Sequence, residues 1–141
     1  MKKYKKILAG AVSAAVLVSA LSVPTAAAMT AVTQTKTKSG TFMVGNKTYS
    51  YGGDLRASYT QATASVSSGF NMNLLVKVKA TTNFAGVPHY NEKSDVILDR
   101  SASVSVDNMF NYGGTIITTD IIKAEGTYRI GTIDHFDLKI E

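Results

Sequence analysis

Tyr51 and Tyr112 each stand immediately before a pair of glycines, and Tyr90 follows His89 in a stretch that also holds Phe84. Aromatic rings at strand ends and loops offer rigid contact area with a polar handle, which suits recognition rather than bond-breaking. Tyr51, Tyr90, Tyr112 and Phe84 are therefore the candidate ligand-binding residues, a platform for a glycan, a cell-wall polymer or a protein partner. The competing reading is that these rings cover core edges and keep their hydroxyls in water.

Catalytic patterns are sparse. There is no Gly-x-Ser-x-Gly elbow, no His-Glu-x-x-His and no phosphate-cradling glycine loop. The chain has no cysteine, so thiolate nucleophiles, disulfides and zinc–thiolate sites are excluded. Asp134-His135-Phe136-Asp137 is the densest acid–histidine cluster. On a strand, His135 and Asp137 share one face and Asp134 and Phe136 the other, so too few ligands meet for a structural zinc site. Asp95, Asp99 and Asp107-Asn108 match no dense oxygen-ligand loop for calcium. No metal and no cofactor is expected. A paired-carboxylate glycosidase is a poor fit to a short chain without tryptophan, and any small hydrolase would have to use His89 or His135.

The elements that position these residues follow a prefix of a different kind. Lys2, Lys3, Lys5 and Lys6 form a positive head, an uncharged run extends from Ile7 to Val23, and Pro24 leads into Thr25-Ala26-Ala27-Ala28. That three-part plan is a secretory signal peptide spanning residues 1–28, with cleavage expected after Ala28. The run is alanine-rich and short for a retained membrane span. Secretion to the medium is expected, or to the periplasm if the source has an outer membrane. The net charge of +5 falls to +1 after cleavage, because four of the 15 basic residues and none of the 10 acids lie in the prefix. The basic balance thus gives no reason to expect nucleic acid as a partner. The plan resembles that of many small secreted proteins of Gram-positive bacteria, in style rather than motif, and transfers no site residues.

Residues 29–40 are threonine-rich and read as a flexible leader or an edge strand; residues 41–141 read as a single β-rich domain. Thr41–Val44 and Lys47–Tyr51 flank Gly45-Asn46, a hairpin signature. Gly52-Gly53 then reads as a break, and alternation changes parity near Thr60-Gln61, which requires a turn or bulge there. Ser67-Ser68-Gly69 reads as the next turn. Phe70 to Ala80 is the best strand, with Phe70, Met72, Leu74, Val76, Val78 and Ala80 on its inner face. Asn83 to Asp95 reads as the longest irregular stretch, punctuated by Gly86 and Pro88. Short runs at Val96–Leu98, Ala102–Val106 and Met109–Tyr112 follow, then a β-branched run over Thr115–Ile122. A closing hairpin turns at Gly131.

The expected fold is all-β, a small antiparallel β-sandwich or barrel of about seven to nine short strands. Tyr49-Ser50-Tyr51-Gly52-Gly53 and Phe110-Asn111-Tyr112-Gly113-Gly114 echo each other, as either the relic of a duplicated half or two strand ends that stop at glycines. The two-faced strand at Phe70–Ala80 also resembles barrel-forming toxin hairpins, but half-buried soluble sheets read the same way and membrane insertion is not expected. The expected function is a secreted, non-enzymatic binding protein at a cell surface or envelope, taking a glycan, a cell-wall polymer or a surface protein. A bacteriocin-like antagonist is the alternative and a small hydrolase the third reading. Self-association through strand edges is open to all three.

Overall fold

The computed structural model describes residues 29–141, so the expected signal peptide, residues 1–28, lies outside the described residues. Those residues are all-β: β1 (Gln34–Val44), β2 (Lys47–Ala57), β3 (Gln61–Phe84), β4 (Val87–Asp107), β5 (Met109–Tyr112), β6 (Thr115–Thr118), β7 (Ile121–Ile130) and β8 (Asp134–Ile140). All pairings are antiparallel.

β3 is the spine. Its inward face carries Ala62, Ala64, Val66, Leu74, Val76, Val78 and Ala80, all buried, while Lys77 and Lys79 point outward. Along one edge it pairs with β4 for nearly its whole length. Along the other it pairs first with β2, through Ala62–Ser68, and then with β7, through Leu74–Thr82. Between those segments the β3–β4 register shifts, from Ser67 to Met72. A register shift bends a strand and increases its twist. The sheet therefore folds over on itself, in the order β1-β2-β3-β7-β8, into a nearly closed antiparallel barrel.

Side chains close the seam between its first and last strands. Lys38 Nζ on β1 lies 3.3 Å from Asp134 Oδ2 on β8, and its ammonium sits 4.7 Å from the centre of the Phe136 ring. The Tyr51 hydroxyl donates to the same carboxylate oxygen at 2.8 Å. Inside, Tyr128 and Phe136 stack with ring centres 4.9 Å apart, and the Tyr128 hydroxyl donates to Asp54 O at 2.6 Å.

Three expectations are corrected. Gly52-Gly53 does not break the chain; both glycines lie within β2. A Cβ at Gly53 would stand 2.8 Å from the Tyr128 ring and 2.9 Å from Phe136, so this position is glycine because two rings cover it. Ser67-Ser68-Gly69 is a bend inside a continuous strand rather than a turn. Asn83–Asp95 is not irregular: it is the tip of the β3–β4 hairpin and the first part of β4. Ala85 and Gly86 form its two-residue loop with φ of 52° and 80°, the left-handed pair that a type I′ turn requires. Pro88 is tolerated because it sits one step from the Phe84↔Val87 closing pair, where the missing N–H faces away from β3.

The expected turns at Gly45-Asn46, around Thr60 and at Gly131 are present. The Thr115–Ile122 run is split, with β6 ending at Thr118 and β7 starting at Ile121.

Candidate functional site

Two hairpins with the same local chemistry meet at one end of the barrel. Asn83 Oδ1 accepts the Gly86 N–H at 3.0 Å, and Asn111 Oδ1 accepts the Gly114 N–H at 3.0 Å. Gly113 and Gly114 have φ of 57° and 85°, so the β5–β6 loop has the same left-handed pair as the β3–β4 loop. Each loop is tight, and each leaves an aromatic residue as its last strand position: Phe84 in one, Tyr112 in the other.

The register then determines which rings meet. Residues directly opposite on paired strands share a face, so Phe84, Val87, Thr82 and His89 project together. Phe110, Tyr112, Thr115 and Ile117 do the same on the smaller hairpin. These two faces pack. Phe84 meets Tyr112 edge-on with ring centres 5.3 Å apart and meets Phe110 at 5.9 Å. His89 stacks on Phe110 at 4.0 Å with the planes 13° apart. The His89 Nε2 is buried there without a hydrogen-bond partner. Asn91 ties down the base of the smaller hairpin: its Nδ2 donates to Asp107 O at 2.8 Å and to Met109 O at 2.7 Å.

Of the expected site residues, Phe84 and Tyr112 come together and form the junction. Tyr90 lies beside them on the opposite face of β4, 56% exposed, with the Lys79 ammonium 4.4 Å from its ring centre. Lys79 also lines a shallow cleft of about 370 Å³ on the outer sheet face, together with Lys77, Glu125, Thr127, Asp137 and Lys139. Tyr51 stands apart. It is 2% exposed, packs beside Phe42 and belongs to the core and seam. Burial, the hydrogen bond to Asp134 and the charge of that carboxylate together push its hydroxyl pKa above the ordinary tyrosine range. The two Tyr-Gly-Gly segments are not equivalent in structure, since one lies mid-strand under aromatic rings and the other forms a turn.

Phe110, His89 and Val87 do not stand out as a group in the sequence. The signal that finds them is the paired Asn-x-Ala-Gly and Asn-x-Gly-Gly, each a hairpin loop preceded by an asparagine cap. His135 and Asp137 are exposed on β8, on the face opposite Phe136. Among the described residues, no three His, Cys, Asp or Glu side chains gather as metal ligands. No family model, curated protein or solved structure matches this chain.

Proposed function

We propose that the protein is a secreted, non-enzymatic binding protein that grips a glycan or cell-wall polymer at a cell surface through its paired hairpin tips. The observation that carries this reading is the Phe84–Tyr112 junction, where Val87 and Tyr112 each remain 55% exposed, with Tyr90 56% exposed on the opposite face of β4. Rings held on tight turns are pre-organised, so binding costs little conformational entropy. Sugar rings present flat C–H faces that stack on aromatic side chains, and the polar cleft reached through Lys79 supplies groups for hydroxyls. The lysine-headed prefix supports export.

The test is a pull-down on purified cell wall together with a glycan array. Tyr90→Ala and Tyr112→Ala combined should weaken binding roughly tenfold or more, as loss of aromatic anchors does elsewhere. Binding that saturates unchanged in the double variant removes the tips as the site. Capture by a surface protein with no response on the array replaces the glycan with a protein partner. Mass spectrometry of the medium should find a chain starting at Met29.

A further inference from the structure

Among the described residues, nothing covers one edge of β4. Each residue from Glu92 to Ser101 is exposed, whichever face of the strand it points from. Among the described residues β4 pairs only with β3, so the backbone groups on its other side have no ladder partner. The register identifies those groups. Phe84↔Val87 closes a two-residue loop, and such a pair exchanges both hydrogen bonds. Odd-numbered residues up to Asp99 therefore bond to β3, and even-numbered residues turn their N–H and C=O outward.

We infer that two copies of this chain pair through that edge, β4 against β4, antiparallel about a two-fold axis at Val96. The support is charge complementarity along the strand. With Val96 opposite Val96, Lys93 falls opposite Asp99 and Glu92 opposite Arg100, and the symmetry repeats each pair. Outward amides meet outward amides, since Val96 faces itself and Ser94 faces Leu98. Sliding by one residue in the pairing sum sets outward amides against inward ones. Sliding by two sets Asp95 against Asp95 in one direction and Asp95 against Asp99 in the other. Charges on an open edge ordinarily discourage pairing. Here they reject the neighbouring registers and fit one.

The apolar side chains agree with that axis. Val96 and Leu98 are 68% and 64% exposed and project from the outer face next to Leu75, which pairs with Val96. Across the axis Val96 meets Val96 of the second copy, and each Leu98 lies opposite Ser94 and diagonal to that valine, which extends one apolar stripe to either side of the axis. Lys77 already holds Glu92 within the chain, and Asp99 Oδ1 accepts the Arg100 N–H at 2.6 Å, so that amide is taken and the ladder between copies runs from Ser94 to Leu98; Asp99 Oδ2 is left for the Lys93 of the second copy.

Sedimentation equilibrium on the purified protein tests the inference. The parent should show a monomer–dimer equilibrium. Lys93→Glu or Asp99→Lys alone should raise the dissociation constant roughly tenfold or more, because each sets like charges against each other twice. The two together should return it to within about threefold of the parent, since the swap restores every opposite pair. Val96→Pro removes an outward N–H and no bond to β3, so it should abolish the dimer while leaving the circular dichroism melt unchanged. A chain that stays monomeric at the highest soluble concentration overturns the inference. So does a dimer indifferent to Val96→Pro, or a double variant no tighter than the single ones.

Discussion

Two tyrosines that look alike in composition do different work from the exposed ones, and the difference is measurable. Tyr51 and Tyr128 are buried with hydroxyls that donate to Asp134 and to Asp54 O, and burial, with the nearby carboxylates, raises both pKa values well above the tyrosine norm. In the unfolded chain they ionise near about pH 10. Above that pH the unfolded state holds fewer protons than the folded one, so stability falls as pH rises. The contribution is complete below about pH 10 and declines toward the higher folded values. Urea midpoints should therefore drop between about pH 10 and pH 11, and drop less steeply in Tyr51→Phe/Tyr128→Phe. Parallel declines would show that these hydroxyls are not protected. Nothing in local sequence separates Tyr51 from Tyr112, since both precede Gly-Gly. What separates them is whether a second strand lies over the glycines.

At the scale of elements, the sequence is readable where a strand has one wet face and one dry face. Ala62 to Ala80 alternates because its inner side meets the core at every second residue, and the faces assigned from periodicity are the faces observed. The same logic fails on β4, where Glu92 to Ser101 is exposed on both faces and leaves no alternation to detect. Glycine and proline misled for related reasons. Gly53 and Pro88 read as punctuation, yet one makes room for rings and the other sits on an open edge. The tip of this hairpin carries a correctable flaw, an alanine at φ 52° ahead of Gly86. A β-carbon is crowded in that left-handed region, whereas asparagine tolerates it and Asn-Gly is favoured in such turns. Ala85→Asn should stabilise the protein by about 1 kcal/mol, seen as a higher urea midpoint at unchanged slope. A lower midpoint would mean the turn is not of this type.

Seen whole, the molecule is a barrel whose closed side is a seam of side chains and whose open side is a single folded strand. Pairing two copies at Val96 would place the aromatic tips at opposite ends of the assembly. Val87 lies nine positions from the axis, so the tips would stand about 60 Å apart at roughly 3.3 Å per residue. A grip at each end suits cross-linking of separate polymer strands more than double engagement of a short one.

β3 belongs to both halves of the barrel at once, bonded to β4 on one flank and to β2 and then β7 on the other. Neither half can let go without pulling its neighbour's ladder apart, so partial opening has no cheap route. Deuterium uptake should accordingly be slowest at Leu74–Thr82, and those amides should exchange only through global unfolding, at one shared free energy. A staircase of separate opening energies along β3 would mean that the barrel comes undone in instalments.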